Sequence, residues 1–208
     1  MKSFQSLLLA LSLLIANHSF SQPLIVNESV EASNPNQIKS NFWYITLGKV
    51  TLDSDEAQEI GIEDSATALN IGFEKHSSFY LLGGGIGTYF FEDESSFKVR
   101  VSDQYGNEST KSSTISTLSG YIEAGLNYQL INEKVFLDAL AGYQYISSER
   151  RISNCSDCPK DDLGFNGDIY LKPRLRVHNN KLIMALNYQK SFSNKLDSQI
   201  SLSVGTEF

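Results

Sequence analysis

The sequence predicts an all-β fold, namely an eight-stranded antiparallel up-and-down β-barrel that crosses a membrane. Three observations lead to it: apolar and polar residues alternate with a period of two, short and long connections alternate, and the mean hydropathy is only -0.21. In a membrane barrel only every second residue faces lipid, so the average hydropathy stays low. No apolar run approaches the roughly 20 residues that a spanning helix needs.

The first 21 residues have the features of a secretory signal peptide. Lys2 supplies the positive start, Leu7–Ala16 form a short apolar stretch, and Ser19 and Ser21 are small residues at the spacing expected before a cleavage site. We therefore expect the mature chain to begin at Gln22.

Loss of residues 1–21 would remove one lysine and leave 16 basic and 24 acidic residues, a net charge of -8. Such an acidic chain gains nothing from phosphate backbones, so we expect no nucleic-acid partner. Residues 22–41 are rich in Asn, Ser and Glu, which is typical of a flexible segment, here a periplasmic one. The barrel is expected to occupy residues 42–208 as a monomer.

Eight segments have the period of two that is expected of strands. In the sixth, Leu171 and Leu175 alternate with Lys172, Arg174 and Arg176. The segments run Phe42–Val50, Ala66–Lys75, Phe79–Glu92, Ser113–Leu130, Lys134–Ser147, Gly167–Val177, Lys181–Ser191 and Leu196–Phe208.

The connections between these segments predict the topology. Three are short and suit two-residue hairpin turns: His76–Ser77, Asn132–Glu133 and Asn179–Asn180. Three on the other side are long and polar: Thr51–Ser65, Asp93–Ser112 and Ser148–Asn166. The turns predict that Tyr128 pairs with Leu137 and Val177 with Leu182. Short turns on one side are typical of the periplasmic end of outer-membrane barrels.

The chain ends in an alternating strand with Val204, Thr206 and Phe208 on one face. A terminal Phe in such a strand resembles the signal that the outer-membrane assembly machinery reads, although Thr206 stands where a larger apolar residue is more usual. Phe42–Phe208 thus resemble the small outer-membrane β-barrel family of the OmpA/OmpX type. The resemblance implies a bacterial outer-membrane location, the assembly machinery as a partner, contact with lipid and lipopolysaccharide, and no cofactor.

The inward face of the predicted barrel is polar and charged. Its candidate charge network consists of Glu74, Glu123, Asp138, Lys172, Arg174 and Arg176. Buried charges need partners, and Asp138 and Arg176 lie at similar heights above their turns. The third segment places Gly83, Gly85 and Gly87 inward, which would leave room for the arginine side chains. The network could form an ion path or gate, or it could be a structural filling of a narrow lumen.

Cys155 and Cys158 are the two cysteines of the chain. A close pair in an oxidising compartment usually forms a disulfide, and this is the pairing that we predict. A metal site is the alternative, but two cysteines without a nearby histidine are a poor ligand set. A redox-active pair would be expected beside a βαβ pattern, which the sequence lacks. We therefore predict no metal.

No catalytic residue is predicted. Some small outer-membrane barrels modify lipid A with a histidine that activates a serine, near the outer rim or on the lipid face. After residue 21 the chain has only His76 and His178, and both fall at predicted periplasmic turns. His76 and Ser78 have a His-x-Ser spacing, but they lie at the wrong end of the barrel.

The sequence thus favours a non-enzymatic outer-membrane protein that has either an envelope-structural role or a surface-binding or adhesion role through its outer loops, where an unknown ligand could bind. One alternative is a soluble periplasmic lipocalin-like barrel that binds an apolar ligand. That fold would turn Leu171, Leu175 and Leu202 inward and expose Lys172 and Arg174. A lipid A-modifying enzyme is the other alternative.

Overall fold

The computed structural model describes residues 40–77, 79–94, 99–102, 108–111, 113–131, 134–152, 160–179, 181–192 and 195–208. The expected signal peptide and nearly all of the expected N-terminal segment lie outside this part of the chain, and so do Cys155 and Cys158. The expected disulfide therefore stays a prediction.

Strands make up most of the described chain, and one short helix lies between the first two strands. In chain order the elements are β1 Ser40–Leu52, α1 Ser54–Ile60, β2 Ser65–His76, β3 Tyr80–Phe90, β4 Val99–Ser102, β5 Glu108–Lys111, β6 Ser113–Ile131, β7 Val135–Ile152, β8 Asp161–Asp162, β9 Gly167–Asn179, β10 Leu182–Ser191 and β11 Leu196–Glu207. No helix in the described ranges is long and apolar enough to cross a membrane.

Eight of these strands close into one antiparallel barrel in the order β1, β2, β3, β6, β7, β9, β10, β11, and β11 pairs with β1. The predicted eight-stranded up-and-down barrel is confirmed. The hairpin of β4 and β5 forms a separate sheet, and β8 pairs with β7. We call the end where β2 meets β3, β6 meets β7 and β9 meets β10 the turn end, and the opposite end the loop end.

Large apolar side chains cover the outer wall of the barrel. Leu171, Leu175 and Leu202 are 45%, 43% and 63% exposed, whereas Lys172 and Arg174 point inward and are buried. This arrangement is the reverse of a lipocalin-like barrel. The apolar belt comprises Trp43, Ile45, Leu47, Leu69, Ile71, Phe73, Leu82, Ile86, Leu118, Ile122, Leu126, Leu137, Ile169, Leu171, Leu175, Val177, Leu182, Met184, Leu186, Ile200, Leu202 and Val204.

The strand register agrees with the prediction at one hairpin and differs at another. Tyr128 pairs with Leu137 as predicted. Leu182, however, pairs with Asn179 rather than with Val177, so the predicted register of β9 and β10 is wrong by two residues. A shift of two leaves each side chain on its predicted face, because the side-chain period of a strand is two.

Pro173 lies in the middle of β9 and faces outward. It pairs with Ala139 of β7, but the β9–β10 ladder has no pair for Pro173 or Lys172 and resumes in unchanged register at Leu171 and Lys190. Proline lacks the backbone N–H that this ladder would use. The sheet therefore accommodates Pro173 by leaving out pairs rather than by a bulge.

β6 and β7 are the longest strands, with 19 and 18 residues. A spanning strand needs only about 9–11 residues, so this hairpin extends beyond the belt at the loop end. β6 pairs with β3 only up to Ser119. Beyond Ser119, Thr117 Oγ1 accepts from Tyr89 N at 2.6 Å and donates to Tyr89 O at 2.7 Å. The threonine hydroxyl thus takes the place of the main-chain hydrogen bonds between β3 and β6.

A charge introduced into the apolar belt tests whether the belt faces lipid. Ile122→Arg should lower the free energy of unfolding by about 2–4 kcal/mol, because the guanidinium is buried in the hydrocarbon layer. Ser116→Arg, on the same face of β6 beyond the belt, should cost about 0–1 kcal/mol. Reversible denaturant unfolding in lipid vesicles measures both, and equal costs would contradict the assignment.

Candidate functional site: the barrel interior and its cap

Arg174 is the centre of the charge network in the lumen. Its Nη2 donates to Glu74 Oε2 at 2.8 Å, its Nη1 donates to Glu74 Oε1, and its Nε donates to Asp138 Oδ2 at 2.7 Å. β2, which carries Glu74, and β9, which carries Arg174, lie on opposite sides of the eight-strand ring. This bidentate pair therefore spans the diameter of the barrel.

Arg176 is the next inward residue of β9 toward the turn end, and it binds the same aspartate. Its Nε donates to Asp138 Oδ2 at 2.8 Å and its Nη2 to Asp138 Oδ1 at 3.0 Å. Nη1 contacts His76 Nδ1 at 3.1 Å and also His178 Nε2. An arginine only donates, so both of these imidazole nitrogens accept, and Nε2 of His76 is left to donate to Glu74 Oε2 at 2.7 Å.

A second group lies closer to the middle of the barrel around Glu123. Lys172 pairs with Glu123 Oε2, and Tyr170 donates to the same oxygen at 2.9 Å. Tyr44 donates to Glu123 Oε1 at 3.4 Å and shares a hydrogen bond of 3.0 Å with Tyr121. All six residues predicted as the network thus lie inside the barrel, each in at least one ion pair.

The network contains three carboxylates and three cations, so its formal charges balance. Aromatic rings close the turn end below it: Phe42 contacts the His76 ring at 4.4 Å, and Phe136 contacts the His178 ring at 4.9 Å between centroids. The Arg176 guanidinium lies 4.6 Å from the centroid of Phe136. The lumen is therefore filled by paired charges and rings at this end.

The inward glycines of β3 have a different role from the predicted one. A Cβ at Gly83 would meet Glu74 Cγ at 2.9 Å, and one at Gly85 would meet the Tyr121 hydroxyl at 2.6 Å. The glycines thus make room for acidic and phenolic side chains of the neighbouring strands. Arg174 reaches Glu74 from the far wall instead of filling the space above the glycines.

The prediction that both histidines lie in turns is wrong. His76 ends β2 and His178 belongs to β9, and both imidazoles contact Arg176 in the lumen. The alternation along each strand already indicates that both histidines point inward, since His76 follows the inward Glu74 by two residues and His178 follows the inward Arg176 by two. His76 is buried and both its ring nitrogens have partners, so it is not placed to activate a serine. Ser78 lies outside the described residues.

The loop end is closed by a folded cap, which we define as residues 53–64, 91–94, 160–166 and 192–195 in the described chain. Sequence reasoning missed its hydrophobic core, although Val50, Leu52 and Ala66 continue the inward phase of β1 and β2. The cluster contains Val50, Leu52, Ala57, Ile62, Ala66, Ala68, Tyr89, Phe91, Ile146, Leu163, Phe165 and Leu196.

Buried Arg150 of β7 holds the cap together. Its Nη1 donates to Ile60 O at 2.8 Å and its Nη2 donates to Gly61 O at 3.1 Å, at the C-terminus of α1. The same Nη2 lies 2.9 Å from Asp93 Oδ1. Gly61 has a positive φ of 69°, which ends the helix in the left-handed conformation that suits glycine.

Main-chain hydrogen bonds tie the cap segments to each other. Glu63 N donates to Glu92 O at 2.9 Å, Glu94 N to Gly61 O at 3.1 Å, and Asp53 N to Lys195 O at 3.0 Å. The Lys195 ammonium donates to Leu163 O at 2.7 Å. Segments from all four loop-end connections therefore form one ordered unit.

The three residues of the predicted assembly signal lie on β11 and just after it. Val204 is on the outer wall, and Thr206 pairs with Trp43 of β1. The Phe208 ring packs edge-on against Phe73, with 6.3 Å between centroids, so the C-terminus lies against the outer wall at the turn end. Within the described ranges no cluster of three or more His, Cys, Asp or Glu residues could hold a metal ion.

Solved structures of small outer-membrane proteins share this architecture. Neisserial surface protein A matches with a TM-score of 0.51 and 10% identity, over 81% of this chain and 97% of that chain. Ail, the attachment invasion locus protein of Yersinia pestis, has a TM-score of 0.48 and 14% identity over 82% and 97%. The N-terminal barrel domain of Pseudomonas aeruginosa OprF has a TM-score of 0.48 and 10% identity over 81% and 97%.

The chain has the fold of a small outer-membrane β-barrel. At these identities the likeness is one of fold alone. No protein-family model matches the sequence, and no curated protein matches it. The apolar belt agrees with this fold, because the outer wall of a membrane-spanning barrel is an apolar band.

Removal of Asp138 tests how strongly the barrel depends on its ion pairs. Asp138→Ala should lower the free energy of unfolding by about 3–5 kcal/mol, since it leaves two buried guanidinium groups with fewer partners. Asp64→Ala, at an exposed carboxylate of the cap, should change it by less than about 0.5 kcal/mol. Urea unfolding in detergent micelles measures both, and a small cost for Asp138→Ala would show that the network is dispensable.

Loss of the Arg150 side chain should open the cap without unfolding the barrel. In Arg150→Gln we expect several-fold faster cleavage at Glu56, Glu59 or Glu63 by a glutamate-specific protease, because α1 loses its anchor. The matched control is Arg151→Gln, whose native side chain pairs with Glu149 at the surface. Unchanged cleavage in Arg150→Gln, with barrel migration on gels intact, would exclude this anchoring role.

Proposed function

We propose that this protein is a non-enzymatic, non-conducting outer-membrane barrel that presents its cap at the cell exterior as a binding surface. The observation that carries the proposal is the hydrophobic core of the cap with Arg150 at its edge. Loop residues on a rigid scaffold are the usual carriers of recognition, and a preorganised surface loses less entropy when it binds. The turn end, with both ends of the barrel domain, would then face the periplasm.

A pore is a poor alternative for this lumen. An eight-stranded barrel is only wide enough for side chains to fill it, and here Arg174 and Glu74 join opposite walls. Aromatic rings close the turn end and the cap closes the loop end. These features support a structural reading of the charge network rather than an ion path.

The exposed face of the cap is acidic. Asp53, Asp55, Glu59, Glu63 and Asp64 are all exposed around α1. A surface of one sign attracts partners of opposite charge and repels those of the same charge. The ligand class favoured by this surface is therefore a basic partner on another cell, rather than the phosphate groups of lipopolysaccharide.

A purely envelope-structural role is the second candidate. It is favoured by the extensive ion pairing in the lumen, which does not depend on any ligand. Under this hypothesis the cap only closes the loop end against solvent, and its outer face has no partner.

Cell binding by the purified barrel in fluorescent lipid nanodiscs distinguishes the two. We expect the barrel to bind cultured epithelial cells above empty nanodiscs, and Asp55→Lys with Glu59→Lys to reduce that binding several-fold. Lys75→Glu at the exposed turn end is the matched control and should leave binding unchanged.

Three outcomes would contradict the proposal. Binding no higher than that of empty nanodiscs would leave the envelope-structural role. An increase in binding by Lys75→Glu would mean that net negative charge, and not the cap, controls adsorption. Binding of the same nanodiscs to immobilised lipopolysaccharide in preference to cells would contradict the inferred ligand charge.

A further inference from the structure

A small polar cavity lies in the barrel between the charge network and the cap. Its volume is about 30 Å³, which is enough for one or two water molecules. Tyr44, Tyr121 and Lys172 line it on the network side, and Tyr89 lines it on the cap side. Amide and hydroxyl side chains, including Asn70, Gln144, Asn187, Gln189 and Ser201, form the rest of its wall.

Three buried polar atoms of the cavity wall have no hydrogen-bond partner among the described residues. They are Ser119 Oγ, Gln144 Nε2 and Asn187 Oδ1. The three residues are only 4%, 4% and 2% exposed, so bulk water does not reach these atoms. An unsatisfied buried polar atom costs about 1–3 kcal/mol, so three in one place indicate a missing partner.

The other hydrogen bonds of the two amides fix which group of each is left without a partner. Gln144 Oε1 accepts from Gln189 Nε2 at 3.0 Å and from Tyr89 Oη at 3.3 Å, which leaves its Nε2 as a free donor. Asn187 Nδ2 donates to Ser203 Oγ at 2.9 Å and to Ser201 O at 3.2 Å, which leaves its Oδ1 as a free acceptor. The cavity thus offers one donor, one acceptor and one hydroxyl.

We infer that this cavity is a built site for one or two ordered water molecules that complete the hydrogen bonds of Ser119, Gln144 and Asn187. Water is the ligand because it donates and accepts at once. An anion would face Asn187 Oδ1. A cation would face the Gln144 amide N–H.

A crystal structure of the refolded barrel that resolves water provides the direct test. We expect one or two density peaks within hydrogen-bond distance of Ser119 Oγ, Gln144 Nε2 and Asn187 Oδ1. Crystals soaked in rubidium chloride or sodium bromide should show no anomalous peak there. An empty cavity, or an anomalous peak from either ion, would overturn the inference.

A cavity-filling variant gives an independent measurement. In the ¹⁵N-labelled protein, the Gln144 side-chain amide should show a nuclear Overhauser effect to water, and Ser119→Leu should abolish it. The same variant should lower the ratio of folded to unfolded protein about 10- to 100-fold, because the amides lose their partner. Ser147→Leu, on the exposed face of neighbouring β7, should preserve the water signal.

If Ser119→Leu folds poorly, the nuclear Overhauser effect measured on the unaltered protein still tests the inference. Absence of the water signal from Gln144 in the unaltered protein would contradict the inference by itself. Persistence of that signal in a folded Ser119→Leu variant would equally contradict it, because the added side chain occupies the space assigned to water.

Discussion

The period of two in a closed ring of eight strands is the constraint on which the structure depends. Each strand must present one face to the outside and one to a lumen that only side chains can fill. When the outer face is apolar, as at Leu171 and Leu175, the polar residues between them are forced inward. Lys172 and Arg174 are therefore buried by the geometry of the strand, and the rest of the interior must compensate their charge.

The compensation follows from the small diameter of the barrel. Arg174 reaches Glu74 on the opposite wall and Asp138 on the adjacent strand, so one guanidinium joins three strands. Arg176 repeats this at the turn end and uses His76 as a further acceptor. Such a network is costly to break, because removal of one charged partner leaves the other charge buried and unpaired. The same pairing that permits the charges to be buried also closes the lumen.

The sequence predicted the eight strands, their faces and the members of the charge network, because all three depend on a local period of two. It did not predict the β9–β10 register, since a shift of two residues leaves every face unchanged. Gly83 was placed on the correct face, but the space beside it is occupied by Glu74 of the adjacent strand and not by an arginine. The alternation of residues along a strand does not decide between these two occupants. The core of the cap was missed because Ala57, Ile62 and Leu163 are isolated apolar residues in polar loops.

The interior changes in character from the turn end to the loop end, and this gradient decides where a partner can be bound. Charges and rings fill the turn end, amides and hydroxyls line the middle, and apolar side chains close the loop end. The cavity in the middle layer has no space for a molecule much larger than water. A larger ligand must therefore be met by an outer surface, and the cap and the protruding ends of β6 and β7 extend beyond the apolar belt at the loop end.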